Sequence, residues 1–171
     1  DKLNLRIGSP PPHALYDMPP KVEKVTQDGY STIYRDWIEV IEGVEVYGIL
    51  SVPLGLTEPA PLMICQHGGG GSPEVIAPFT GDQGDGTFNY GWMVQRSLEA
   101  GYVTWAPYLA FRVAGTESMD GPERVEIDGK ARYVGTSILA IELWKISRSL
   151  DAILKQPEVD STRVGMMGLS Y

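Results

Sequence analysis

Two groups of residues in this 171-residue chain have types and spacing that could do chemistry. The first is Gly168-Leu169-Ser170-Tyr171. A serine hydroxyl is a weak nucleophile, and it becomes useful when a sharp turn presents it clear of neighbouring side chains. Small residues two positions either side of the serine make room for such a turn, which gives the pattern G-x-S-x-G. Gly168 supplies the first glycine; the second would stand at position 172, just past Tyr171. By itself, G-x-S equally describes a serine in an ordinary strand-to-loop turn.

The second group is His67-Gly68-Gly69-Gly70-Gly71. Successive glycines let backbone N–H groups come within hydrogen-bonding reach of a substrate atom. Donors fixed in that way stabilise the oxyanion of an acyl-transfer intermediate by about 3–4 kcal/mol each. A flexible linker and a phosphate cradle are the competing explanations. A P-loop needs Gly-Lys-Ser/Thr, and Gly71-Ser72-Pro73 has no lysine. A dinucleotide fingerprint needs a glycine opening a helix, whereas Pro73 and Glu74 follow here.

Both groups need strands to deliver them. Residues 61–66 (Pro-Leu-Met-Ile-Cys-Gln) form a short continuous apolar run, the pattern of a strand covered on both faces, and it ends at His67. Residues 102–107 read as a second buried strand, and residues 163–168 as a third that delivers Ser170. Upstream, Val44, Val46, Gly48, Leu50 and Val52 alternate with Glu45, Tyr47, Ile49 and Ser51. With the β-branched and aromatic stretch 31–40 and a turn at Glu42-Gly43, this predicts an antiparallel hairpin. A helix is expected from about Phe88, because Tyr90, Met93, Val94, Ser97 and Leu98 share one face, with Gly101 at its end. A longer helix is expected over 136–156, capped by Thr136, stopped by Pro157, and turning Leu139, Leu143, Ile146, Leu150 and Ile153 toward a core. Residues 108–135 show no period and read as a long surface excursion. Residues 1–22, with five prolines, read as an extended arm; residues 23–171 read as part of a single domain. The alternation of strand and helix argues an α/β fold: an antiparallel hairpin leading into a mostly parallel sheet with flanking helices.

Composition narrows the function classes. The chain is 43% apolar and 21% charged, with net charge −8, and a surface that acidic repels phosphate backbones. Cys65 is the sole cysteine, so an intramolecular disulfide and a CxxC site are excluded. No apolar run approaches the roughly 18 residues that span a bilayer. No basic-then-apolar leader precedes Asp1, though the missing initiator methionine is compatible with one already removed; the compartment and the oligomeric state stay open. The two histidines, His13 and His67, and the scattered carboxylates show no metal-ligand spacing, and 81–86 lacks the calcium-loop pattern. Neither metal nor cofactor is expected.

Three stretches together resemble the α/β-hydrolase superfamily, particularly acetyl-xylan-esterase-like and dienelactone-hydrolase-like members: residues 64–71, 141–154 and 157–171. The resemblance covers about residues 40–171 and leaves the proline-rich arm outside. It implies Ser170 as nucleophile, the Tyr171 N–H as one oxyanion donor, and Gly68 or Gly69 as the other. His67 would be a structural residue that ties down the loop with Gly70 and Gly71, and His13 an exposed surface residue. It further implies a small-molecule ester substrate and an acyl-enzyme. By position alone, residues 108–135, with Trp105 and Phe111 nearby, would help shape the pocket, a solvated acidic loop being the alternative. In that superfamily the acid and histidine of the triad follow the serine. They are therefore expected beyond residue 171, in a C-terminal part of the fold that would be this chain's own partner. Two other possibilities stay open: a prolyl-oligopeptidase-type peptidase, which shares the elbow, and a non-catalytic α/β-hydrolase-like module.

Overall fold

The structure, a computed structural model, describes residues 2–9, 19–69, 71–77, 89–109 and 122–170. Its frame is a six-stranded mixed sheet. Strands β1 (Lys21–Gln27), β2 (Ser31–Ile41) and β3 (Val44–Pro53) form an antiparallel meander. Strands β4 (Ala60–Gln66), β5 (Val103–Pro107) and β6 (Val159–Gly168) complete the order β1-β2-β3-β5-β4-β6. The β3–β5 pair is antiparallel, while β5–β4 and β4–β6 are parallel. The expected hairpin is thus β2–β3. Gly43 takes φ +78° in its turn, and its N–H donates to Glu39 Oε1 at 2.7 Å.

Helices α1 (Lys2–Ile7), α2 (Pro73–Ile76), α3 (Met93–Glu99), α4 (Pro122–Tyr133) and α5 (Ile138–Ile153) surround the sheet. The apolar runs of β4 and β5 are explained by cover on both faces. On one face Leu62, Ile64, Val103 and Trp105 pack with Trp144 and Ile153 of α5. On the other, Cys65, Ile49 and Ala106 pack with Ile76 of α2 and Met93 and Val94 of α3. Burying each large aliphatic side chain contributes about 1.5–3 kcal/mol.

Several expectations are corrected. Residues 2–7 are helical rather than extended: α1 docks on the start of α5, where Ser9 N–H donates to Gly135 C=O at 3.3 Å and the Ser137 hydroxyl donates to Ile7 C=O. Residues 10–18, including His13, lie outside the described residues. Residues 108–135 are not structureless, since α4 occupies 122–133. This helix has no apolar stripe; Glu126–Lys130 (2.6 Å) and Asp128–Arg132 (2.7 Å) pair at i,i+4 along it. Helix α3 begins at Met93, with Gly91 and Trp92 both at left-handed φ immediately before it, while the expected start at Phe88 lies outside the described residues.

Helix α5 is capped by Ser137, whose Oγ accepts the Ala140 N–H at 3.1 Å, rather than by Thr136. Its buried face carries Ile138, Glu142, Lys145, Ser149 and Ile153, leaving Leu139 and Leu143 exposed. The polar members are satisfied inside: Lys145 pairs with Glu142 at 3.1 Å, and Ser149 Oγ accepts the Trp105 indole N–H at 3.3 Å. Finally, β6 is not buried. It is the sheet edge, of its ten residues only Val159 is buried, and Val164, Met166 and Met167 are exposed. Val164, Met166 and Met167 have no layer over them among the described residues.

Candidate active site

Parallel pairing of β4 with β6 sets the site. Gln66 and Gly168, the last residues of the two strands, are register partners, so the glycine loop and Ser170 leave adjacent strands side by side. Ligands collect at such carboxyl ends in open α/β sheets. Gln66 braces the junction: its C=O accepts the Leu169 N–H at 3.4 Å, and its Nε2 donates to His67 C=O at 3.2 Å.

Ser170 is exposed and has φ +73°. A non-glycine residue in the left-handed region costs on the order of 1–3 kcal/mol and persists where its surroundings enforce it. Its close neighbour is Gly68. A Cβ placed on Gly68 would sit 2.7 Å from Leu169 O and 3.0 Å from Ser170 Cβ. The loop backbone therefore approaches the serine as closely as a glycine permits.

His67 is fully buried beneath this contact. Its Nε2 accepts the Leu109 N–H at 3.2 Å, and its Nδ1 faces Gly68 O at 2.8 Å. Leu109 N–H can only donate and Gly68 O can only accept, so the ring is neutral with its proton on Nδ1. Burial, opposed by the Gly68 bond and the Glu74 charge, lowers the pKa below its ordinary value. With both nitrogens engaged by backbone, the ring has no lone pair to offer Ser170. Gly71 N–H closes the turn by donating to Gly68 C=O at 3.0 Å. Gly70 and Tyr171 lie outside the described residues.

Helix α2 starts at Pro73 and is opened by a serine, not a glycine, with Ser72 Oγ accepting the Val75 N–H at 3.3 Å. Proline suits a first helical position, where its missing N–H would be unsatisfied anyway. Glu74 accepts a hydrogen bond from the Tyr47 hydroxyl; burial and that bond raise the Tyr47 pKa. Trp105, expected near the pocket, is fully buried on the α5 face with its ring over Gly48. Its position on β5 turns it away from the α2–α3 layer. Phe111 and the rest of 110–121 lie outside the described residues.

One residue went unnoticed as a site member. Tyr90 was assigned only to a helix face, but its hydroxyl accepts the Gly68 N–H at 3.1 Å and would lie 2.6 Å from a Cβ on Gly71. Helical spacing carries no signal for this, because the return of the chain after α2 brings Tyr90 back to the loop. Among the described residues no three His, Cys, Asp or Glu side chains cluster to hold a metal ion, and no helix is long and apolar enough to cross a membrane.

No family model matches the sequence, and no curated protein does. Solved structures do match in fold. A Bacteroides fragilis protein with an acetyl xylan esterase assignment superposes at TM-score 0.68 with 19% identity, over 91% of this chain and 42% of its own. A glucuronoyl esterase from Solibacter usitatus gives 0.62 and 20% over 95% of this chain and 48% of its own. A dienelactone hydrolase-like promiscuous phosphotriesterase from metagenomic libraries gives 0.53 and 17% over 82% and 49%. The chain thus spans under half the length of these structures. What they share with it is the architecture of the α/β hydrolases, and this chain carries the α/β-hydrolase fold.

Proposed function

We propose that the chain is the nucleophile-bearing part of a serine-dependent hydrolase of carboxylic esters, acetyl esters among them. The observation that carries the proposal is the pairing of an exposed, left-handed Ser170 with the glycine loop, whose Gly68 would meet Ser170 Cβ at 3.0 Å if it bore a side chain. Ser170 Oγ attacks the ester carbonyl, the alcohol leaves, and water then releases the acid from the acyl-serine. The charge that develops on the carbonyl oxygen is met by the Tyr171 N–H and by the glycine loop. Gly69 N–H donates to nothing among the described residues, which suits it to that task, whereas Gly68 N–H is held by Tyr90. His67 holds the loop in shape rather than moving protons. Ester chemistry is also what the names of the acetyl xylan and glucuronoyl esterases with this fold report.

The same proposal assigns the triad acid and base to residues following Tyr171, in a segment that also covers β6. Its support is the free edge of β6, with Val164, Met166, Met167 and Leu169 exposed, and the greater length of the matching structures. The test is to treat the full-length protein with a fluorophosphonate probe and map the adduct. Modification of Ser170 is expected, together with hydrolysis of p-nitrophenyl acetate that Ser170→Ala abolishes. An adduct elsewhere, or none, overturns the proposal.

A further inference from the structure

Tyr90 brings a phenol hydroxyl to the glycine loop beside Ser170. Its oxygen accepts the Gly68 N–H at 3.1 Å, so that N–H points at a phenol and not into the site. The phenolic O–H itself donates to nothing among the described residues. A phenol oxygen that accepts one hydrogen bond has its O–H polarised for donating another. Position agrees with that role. Tyr90 Oη and Ser170 Cβ lie 3.4 Å and 3.0 Å from the same point, the place a Gly68 side chain would occupy. Gly71 is equally constrained, since a Cβ there would come within 2.6 Å of the Tyr90 oxygen.

The backbone fixes Tyr90 in this pose. Gly91 (φ +61°) and Trp92 (φ +58°) form a turn closed by Met93 N–H donating to Tyr90 C=O at 3.3 Å. Gly91 takes this conformation freely, but Trp92, a non-glycine residue at left-handed φ, stores strain there. Behind the turn, the Tyr90 ring packs on the cluster of Ile76, Met93 and Val94. Strain in front and packing behind leave the hydroxyl little freedom except toward the loop.

We infer that Tyr90 is a further catalytic residue: its hydroxyl, held by Gly68 N–H, donates to the oxyanion formed when Ser170 attacks an ester. The inference rests on the proposed role of Ser170. Gly68 then acts through Tyr90 and not directly on the substrate, and the hole is built from a side chain and backbone together.

The experiment uses full-length protein and p-nitrophenyl acetate. Tyr90→Phe keeps the ring and removes the donor, so kcat should fall about 100-fold with KM little changed. Replacing Tyr90 with 3-fluorotyrosine, whose phenol is a stronger donor, should alter kcat without altering the melting temperature. A ring that only fills space would show no such response, and the fluorotyrosine variant carries the test if Tyr90→Phe does not fold. Activity of Tyr90→Phe within about threefold of the parent overturns the inference, and so does a rise in activity, which would make Tyr90 a plug over the Gly68 N–H. Fluorophosphonate labelling of Ser170 in the parent protein separates the two proposals. Labelled Ser170 with an indifferent Tyr90 overturns this inference alone, whereas an unlabelled Ser170 overturns both.

Discussion

Gly68 and Ser170 are so close that one methyl group on the glycine would stand 3.0 Å from the serine Cβ and 2.7 Å from the carbonyl oxygen before it. Neither atom can yield easily, because Leu169 is tied to the end of β4 through its N–H and the loop is pinned from below by His67. Gly68→Ala should therefore displace the serine turn rather than collapse the core. We expect a loss of esterase activity of about 100-fold, typical of an ångström-scale misplacement of a reacting group. The melting temperature should drop by far less than such a rate loss suggests, which thermal denaturation beside a p-nitrophenyl acetate assay would measure.

The parts of this arrangement that depend on strand burial and turn chemistry were legible from the residues. The run 61–66, the alternation through 44–52 and the glycines around His67 each follow from local rules, but that the loop and the serine leave neighbouring strands comes from the pairing of β4 with β6. What escaped depends on partners distant in sequence. The apolar stripe of α5 suggested Leu139 and Leu143 as core, but the Glu142–Lys145 pair and the Ser149–Trp105 bond turn the helix by satisfying polar groups inside. Helix α4 has little amphipathic pattern to detect, as it is laced by ion pairs and tied to α5 by Asp128 Oδ1 accepting the Ile138 N–H at 2.9 Å. The sequence 163–168 is as apolar as a buried strand, but apolarity cannot say whether a neighbouring layer is present. Tyr90 was invisible as a site residue because its role arises from a backbone return and not from spacing.

His67 should behave as a structural residue with a pH signature. The unfolded chain takes up the imidazole proton near the ordinary value of 6.5, while burial makes the folded chain take it up only at lower pH. Stability should accordingly fall as pH drops below about 6.5, because there the unfolded state binds more protons. His67→Phe keeps a ring in the space, strands the Leu109 N–H and the Gly68 C=O, and should cost about 2–5 kcal/mol at pH 8. The slope of stability with pH below 6.5 should weaken in the variant. Urea denaturation of both proteins across pH 5–8 provides the comparison; an unchanged slope would mean that His67 does not titrate in this way.

Asp36 should do the opposite. It is fully buried on β2, opposite Gly48, with neither carboxylate oxygen hydrogen-bonded among the described residues. Burial pushes its pKa from the ordinary 3.8 up to about 6. A raised carboxyl pKa means the folded state holds its proton longer, so stability falls as pH rises from about 4 to about 6 and is level above. Asp36→Asn removes the charge from that site and should stabilise the protein at pH 7 by up to about 3 kcal/mol, the equivalent of the shift. A variant less stable than the parent at pH 7 would show that the carboxylate has a partner in solution.

Gly48 and Trp105 offer a test of packing far from the serine. A Cβ on Gly48 would meet the Trp105 ring at 2.3–2.7 Å, and the indole cannot withdraw, because its N–H is held by Ser149 and its ring is fully buried. Gly48→Ala should cost about 1–3 kcal/mol by overpacking. Trp105→Leu alone should cost about 3–5 kcal/mol, through lost burial and the lost hydrogen bond to Ser149 Oγ, which keeps its own bond to Ile146 C=O. Because the alanine methyl would partly fill the space the indole vacates, the double variant should be more stable than the two single losses predict. A coupling of about 1 kcal/mol or more is expected from denaturation curves of the four proteins, and strict additivity would mean that the glycine is not there for the tryptophan.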